Sequence, residues 1–110
     1  MGNVVKMKCS SRLETLDIIA DKMKEEFWTE SVCDERNDKA ILLCFEEYYF
    51  RVSSYVALTL MFTEDDNGQY VVIAGMGGGS GLSNISWGAN KSFEKRAVKV
   101  LQQYGFEIYE

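Results

Sequence analysis

The feature that most limits the fold is a pair of apolar segments joined by an Asn-Gly dipeptide. Tyr55–Thr63 alternates between two sets of side chains, which is the period of a β-strand. A second strand is predicted at Tyr70–Met76, and Asn67-Gly68 lies between the two. Asn-Gly is typical of a two-residue hairpin turn in which both central residues take positive φ. The sequence therefore predicts an antiparallel hairpin over these residues rather than a helix.

One strand and one helix are predicted before this hairpin. Asn3–Cys9 alternates as a half-buried strand does, and one of its faces carries Val5, Met7 and Cys9. Ser11 and Glu14 have the spacing of a capping box, so a helix is predicted over Arg12–Trp28. Its apolar stripe consists of Leu13, Leu16, Ile19, Ala20, Met23 and Phe27.

The middle of the chain predicts a further strand. Ala40–Arg51 is rich in aliphatic and aromatic residues, and we expect a strand with a bulge near Glu46 and Glu47. Thr29–Asn37 is polar and leaves two alternatives open, a loop or a short edge strand. A turn is predicted at Asn37-Asp38.

A second helix is predicted over Asn90–Tyr104, with Asn90 as its N-cap. Its apolar stripe consists of Phe93, Ala97, Val100, Leu101 and Tyr104. Gly105 follows at the C′ position, which places Phe106 where a Schellman motif contacts Leu101. A short terminal strand is predicted at Phe106–Tyr109.

These elements predict a single α+β domain over residues 1–110. The order is β-α-β-β-β-β-α-β, with a mainly antiparallel sheet of about four to six strands. Each predicted helix has one apolar stripe, so both helices are expected on one face of the sheet, in a two-layer sandwich.

Two predicted strands are apolar on both faces, namely Ala40–Phe45 and Tyr70–Met76. Part of the second face of the sheet is then expected to be covered too, by the segment around Trp87 or by another chain. The first hypothesis for function is therefore a non-enzymatic binding or assembly domain, with a homodimer as the expected assembly.

The second hypothesis concerns five glycines that directly follow the hairpin, at positions 75, 77, 78, 79 and 81. Glycines serve a close backbone approach, a positive φ, or a nest of N–H groups that binds an anion. The tentative ligand site consists of Gly77, Gly78, Gly79, Ser80, Gly81 and Trp87. Neither the dinucleotide fingerprint nor the Walker A pattern fits these letters. We expect the glycines to serve backbone geometry, with a small anionic ligand as the alternative.

Catalytic residues are not predicted. Glu46 and Glu47 are candidate acid-base groups beside Tyr48 and Tyr49, but adjacent residues of a strand point to opposite faces and form no carboxylate dyad. The chain has no histidine, which excludes histidine-based nucleophile activation and histidine metal sites. An enzyme using the glycine loop is kept as an alternative only.

Charge and cysteine content narrow the remaining classes. The net charge is −5, which opposes nucleic-acid binding. The basic cluster on the second helix, interleaved with Glu94, is interpreted as a solvated face and consists of Lys91, Lys95, Arg96 and Lys99. The three cysteines lack any CxxC pair, so neither a metal site nor a disulfide is predicted, and we expect reduced, structural thiols. We expect no cofactor, no membrane span and a cytoplasmic location.

The segment Tyr55–Gly88 carries a family resemblance. Its alternating strand, acidic turn, GMGGGSG loop and ISWGA run before a helix resemble a family of small bacterial α+β proteins of unknown function. Those proteins have about this length and an aromatic strand like CFEEYYF. The resemblance implies a bacterial, cytoplasmic α+β protein and supplies no catalytic residues. The three cysteines of this chain are not part of the pattern.

Overall fold

A computed structural model of the chain describes residues 3–27, 31–49, 54–77 and 94–109. The elements follow the predicted order. The first half contains β1 (Asn3–Cys9), α1 (Leu16–Glu26), β2 (Ser31–Arg36) and β3 (Ala40–Tyr49). The second half contains β4 (Ser54–Asp65), β5 (Gly68–Gly77), α2 (residues 94–102) and β6 (Glu107–Ile108).

The strands form one six-stranded antiparallel sheet in the order β2-β3-β4-β5-β1-β6. Strands β2 to β5 are joined in sequence as a meander. The first strand, β1, then adds to the far side of β5, and β6 closes that edge with two residues. The α+β class, the element order and the antiparallel sheet are confirmed.

Both helices contribute to a core on one face of the sheet. The buried residues of β1, β3, β4 and β5 alternate along their strands, because only every second side chain faces the helices. From the sheet the core contains Met7, Cys9, Ile41, Leu43, Phe45, Leu58, Leu60, Phe62, Val71 and Ile73. From the helices and the turn after α2 it contains Leu16, Ile19, Ala20, Met23, Phe27, Ala97, Val100, Leu101 and Phe106.

Helix α1 begins later than the sequence predicts. Thr15 is its N-cap, and the Thr15 hydroxyl accepts the Ile18 N–H at 3.3 Å. Arg12 has φ of +51°, a left-handed conformation that cannot continue into a helix. The prediction of a capping box at Ser11 was therefore wrong, and Leu13, assigned to the apolar stripe, is 59% exposed.

Helix α2 ends in the predicted Schellman motif. The Phe106 N–H donates to the Leu101 carbonyl at 3.2 Å, and the Gly105 N–H donates to the Gln102 carbonyl at 3.1 Å. Gly105 has φ of +88°, which glycine adopts without strain. Asn90 and Phe93, the predicted N-cap and first stripe residue, lie outside the described residues.

The β4–β5 hairpin is confirmed, but its turn is shifted by one residue. Asp65 pairs with Gly68, so the central residues are Asp66 and Asn67. The Asp65 carboxylate accepts the N–H groups of Asn67 and Gly68 at 2.8 and 3.2 Å. Asn67 does not take positive φ, because the side chain of Asp65 stabilises the turn instead.

Strand β2 resolves the alternative left open for Thr29–Asn37. It is a short strand at the edge of the sheet, and its register against β3 shifts between Ser31 and Cys33. The β3–β4 register is continuous from Ala40 to Tyr49. The predicted bulge at Glu46 and Glu47 was therefore wrong, and the irregularity lies on β2.

A cluster of charged side chains joins β2 to α1. The Arg36 guanidinium donates to Asp34, Asp21 and Asp17 at 2.8, 2.7 and 3.1 Å. The Lys24 ammonium donates to Asp34 at 2.7 Å. Hydrogen bonds from Arg36 and then from Lys24 lower the pKa of Asp34 to about 2. Ion pairs thus join the side of β2 that carries Asp34 and Arg36 to α1.

Candidate functional site

Only the beginning of the predicted glycine site lies within the described residues. Gly77 is the last residue of β5 and pairs with Val56. Outside the described residues lie Gly78, Gly79, Ser80, Gly81 and Trp87. A Cβ placed on Gly75 would lie 3.1 Å from Glu94 Cγ, so this glycine allows α2 to approach β5 closely. Backbone geometry thus explains Gly75. For the later glycines, backbone geometry stays the prediction and anion binding stays the alternative.

The basic helix face differs from the sequence interpretation at two positions. Glu94 is buried against Gly75 instead of solvated. The Arg96 guanidinium lies 4.8 Å from the centre of the Phe27 ring and 3.7 Å from the Glu47 carboxylate. Lys95 and Lys99 are exposed as predicted. One acid and one base of this cluster therefore help to fix α2 on the sheet.

The candidate functional site is the outer face of the sheet, which we define as the side facing away from both helices. Two adjacent rows of side chains cross five strands on it, each row taking one residue from β1, β5, β4, β3 and β2. The first row is Lys6, Val72, Met61, Leu42 and Glu35. The second row is Val4, Ala74, Thr59, Cys44 and Cys33.

The first row of the outer face is apolar in the middle and charged at opposite ends. Val4 is exposed, and Met61 at the centre of the first row is 43% exposed. Lys6 lies at the β1 end of that row, and Glu35 lies at its β2 end. Exposed and half-buried apolar side chains that share one face across neighbouring strands are typical of an interaction surface.

The register of β2 against β3 brings two cysteines together on this face. Cys33 and Cys44 are directly opposite one another, and both thiols are free and half-buried. The Cys33 thiol points at the Leu42 carbonyl at 3.8 Å, and the Thr59 hydroxyl points at the Cys44 sulfur at 3.9 Å. Partial burial, and then hydrogen bonding to Cys44, raise the pKa of Cys33. The sequence does not predict this pair, because the spacing of two cysteines does not show that they are in contact until the strand register is known.

The third cysteine is in a different setting. Cys9 is 2% exposed, and its sulfur lies 3.2 Å from the Ser11 hydroxyl and 3.4 Å from the Tyr104 carbonyl. Burial acts to raise the pKa of Cys9, but hydrogen bonds from the Ser11 side chain and from backbone groups of residues 11–13 lower it overall. This thiol joins β1 to the end of α2, as the prediction of a structural cysteine requires.

The two adjacent glutamates of β3 lie on opposite faces of the sheet. Glu46 pairs with Ala57 on the outer face, whereas Glu47 is on the helix face beside Arg96. This is the alternation that the sequence predicts for adjacent residues of a strand. Among the described residues, no cluster of three or more potential metal ligands is found. A groove of about 470 Å³ runs between α2 and the β1 edge, and it is lined by Val4, Val5, Glu94, Lys95, Val98, Lys99, Gln102 and Ile108.

Within the part of the chain that the structure describes, no helix is both long enough and apolar enough to span a membrane. No curated protein and no solved structure matches the chain. A family of unknown function, DUF6054, matches residues 5–105, from β1 to the glycine that ends α2. This match covers nearly the whole fold, and the chain therefore belongs to the DUF6054 family.

Proposed function

We propose that the protein is a non-enzymatic assembly domain that binds a second copy of itself through the outer face of its sheet. The observation that carries the proposal is the first row, which has a lysine at one end, apolar side chains in the middle and a glutamate at the other end. Such a row is complementary to itself when it is reversed. Reversal is what a two-fold axis produces in an isologous interface.

The geometry of the pair follows from the strand order. A two-fold axis that is parallel to the strands and lies between the two sheets, directly over β4, places β1 of one copy over β2 of the other. Lys6 then lies over Glu35 of the second copy, Val72 lies over Leu42, and Met61 lies over Met61. The two sheets pack face to face about 10 Å apart with their strands roughly aligned. Apolar burial stabilises the centre, and the charged ends fix the register.

The size of the outer face is sufficient for a stable dimer. Five strands spaced by about 4.8 Å are about 24 Å wide, and a strand of ten residues such as β3 is about 34 Å long. The sheet plane therefore has at most about 800 Å² per copy, since β1 and β2 are shorter. Stable interfaces bury about 800 Å² per partner, so most of this face takes part.

The test is the molar mass in solution, measured by light scattering and sedimentation at micromolar to high micromolar concentration. The parent protein is expected to be a dimer. Met61→Lys places two like charges at the axis and is expected to give a folded monomer. Ile18→Lys is the matched control. Ile18 is 42% exposed, almost the same exposed fraction as that of Met61, but it lies on α1 and not on the outer face. This variant is expected to remain a dimer.

A charge exchange tests the proposed axis itself. Lys6→Glu is expected to weaken the dimer, because two glutamates then lie opposite each other at each end of the row. The double variant Lys6→Glu/Glu35→Lys is expected to restore it. A monomeric parent at high micromolar concentration would overturn the proposal, as would equal weakening by the single and double exchange variants.

The proposal includes a reducing compartment such as the cytoplasm as the location. Its support is the state of the cysteines, because Cys9, Cys33 and Cys44 are all free. Stable disulfides are typical of secreted proteins, whereas free thiols persist where glutathione and thioredoxin keep them reduced.

A further inference from the structure

We propose that Cys33 and Cys44 are a thiol-oxidation site, which forms a reversible cross-strand disulfide by exchange with a small-molecule disulfide such as oxidised glutathione. This inference goes beyond the proposed assembly and does not rest on it. In the proposed dimer the second copy covers the pair, so the exchange takes place on the monomer. The observation is the register of the edge hairpin, which places the two free thiols directly opposite each other.

The backbone fixes the distance between the two cysteines. The Asn37 N–H donates to the Ala40 carbonyl at 3.0 Å, and hydrogen-bonded pairs alternate along an antiparallel ladder from there. By this alternation Cys33 and Cys44 form a hydrogen-bonded pair, whose Cα atoms lie about 5.5 Å apart. Disulfides join Cα atoms that are roughly 4.4–6.8 Å apart, so the backbone separation is suitable.

The side chains need a small movement to react. The Cβ atoms of directly opposite residues lie roughly 4.5–5.5 Å apart, whereas a disulfide holds them at roughly 3.5–4.5 Å. The position of Cys33 favours this movement, because β2 is an edge strand and its register shifts immediately before Cys33. A disulfide formed with some strain is more easily reduced, which is typical of regulatory rather than structural disulfides.

The reaction proceeds by two exchanges. The thiolate of one cysteine attacks a sulfur of oxidised glutathione, breaks its S–S bond and releases one glutathione as thiolate. The second cysteine, after losing its proton, attacks the protein sulfur of the mixed disulfide and releases the second glutathione. The protein loses two protons and two electrons, and oxidised glutathione takes them up and becomes two glutathione thiols.

The surroundings of the pair set the speed and the cost of this oxidation. The Cys33 thiol is protonated at neutral pH, since burial, the Cys44 thiol and the nearby charges of Glu35 and Asp34 all raise its pKa. The thiolate is the reactive form, so the reaction accelerates as the pH rises towards the pKa of Cys33. Oxidation also removes the weak contact of the Cys33 thiol with the Leu42 carbonyl, and the Thr59 hydroxyl remains beside Cys44.

The experiment exposes the native protein to defined ratios of oxidised and reduced glutathione, followed by rapid alkylation, proteolysis and mass spectrometry. The expected product is a peptide pair linked between Cys33 and Cys44, with a mass loss of about 2 Da that dithiothreitol reverses. Cys9 serves as an internal control. We expect at least about tenfold more of the Cys33–Cys44 link than of any link to Cys9, whose sulfur is almost inaccessible to the reagent.

Two variants complete the design. Cys9→Ser is expected to oxidise as the parent does, and Cys33→Ser is expected to stop at a mixed disulfide on Cys44. The Met61→Lys variant separates this inference from assembly. It is expected to form the same link at least as fast as the parent, because no second copy covers the pair and an intramolecular link needs none. A mixed disulfide as the only product of the parent would overturn the proposal. Fully alkylatable cysteines after strong oxidation, or a bond between two copies instead, would also overturn it.

Discussion

The charged cluster between α1 and β2 predicts how the stability of the protein depends on pH. Contacts with Arg36 and then Lys24 lower the pKa of Asp34 from its ordinary value of 3.8 to about 2. Because the folded state binds this proton more weakly than the unfolded state does, the ionised carboxylate stabilises the fold at neutral pH. This stabilisation is complete above about pH 5 and disappears as the pH falls through the folded pKa.

The magnitude follows from the difference between the two pKa values. At about 1.36 kcal/mol per pH unit, a change from 3.8 to about 2 corresponds to at most about 2.4 kcal/mol of unfolding free energy. The Asp34 side chain is 21% exposed, so screening by solvent reduces the expected contribution to about 1–2 kcal/mol. About half of it is lost by pH 3 and nearly all of it by pH 2.

The assay is urea denaturation of the parent and of Asp34→Asn at pH 6 and pH 3, at equal ionic strength. The variant is expected to be less stable than the parent by about 1–2 kcal/mol at pH 6. This difference is expected to narrow by about half at pH 3, because Asp34 of the unfolded parent binds a proton there while Asp34 of the folded parent remains mostly ionised. Asp38→Asn, in the neighbouring exposed turn, is the control. Equal parent and variant stability at pH 6, or an unchanged difference at pH 3, would refute the reasoning.

Three further results are expected. Thr15→Ala is expected to lower the unfolding free energy by about 1 kcal/mol in denaturant titration. A larger loss of unfolding free energy from Ser11→Ala would indicate that Ser11 is the N-cap instead. Gly105→Ala is expected to lower the unfolding free energy by roughly 1–2 kcal/mol, because a Cβ at φ +88° would lie 2.7 Å from the Ser11 hydroxyl. The loss is expected to be smaller in a Ser11→Ala background, and an equal loss there would show that backbone strain alone causes it. A thermal-shift screen of phosphate, sulfate, nucleotides and carboxylates finds no stabilising ligand, whereas a saturable shift abolished by Gly79→Val would establish the anion site.

The two hairpin turns show how far local sequence signals lead. Asn67-Gly68 and Asn37-Asp38 identified both hairpins, but the acceptor side chain lies at the first residue of the turn rather than in its centre. In one turn the Asp65 carboxylate accepts backbone N–H groups, and in the other the Asn37 amide oxygen accepts those of Lys39 and Ala40. Such side-chain capping is the alternative to positive φ, and sequence alone does not choose between them.

The turn between β2 and β3 is also shifted by one residue, and this shift decides which residues are opposite each other at the candidate site. With Asn37 and Asp38 as the central residues, Cys33 would lie opposite Leu42. The observed turn has Asp38 and Lys39 in the middle and brings Cys33 opposite Cys44. A displacement of the turn by one residue thus decides whether Cys33 and Cys44 are opposite each other or apart.

Two details of the helices, the start of α1 and the setting of Glu94, were predicted wrongly because tertiary contacts outweigh local preference there. Arg12 takes a left-handed conformation while its guanidinium pairs with Glu64 at 2.6 Å, so the chain turns before α1 begins. Glu94 has the character of a surface residue, but the missing side chain at Gly75 leaves room for it beneath α2. By contrast, the Schellman motif at Gly105 is local, and the sequence predicted it correctly.

The position of β1 in the sheet has a consequence for folding. In β1, Cys9 pairs with Gln69 and Met7 pairs with Ile108. Strand β1 is therefore synthesised before β5 and β6, the strands with which it pairs. The meander from β2 to β5 forms through short connections, whereas the closure of β1 against β5 is a long-range step that slows folding. Until that step, β5 is an unpaired edge that invites pairing between chains. The protein is therefore most prone to aggregate after β5 has formed and before β1 has docked against it.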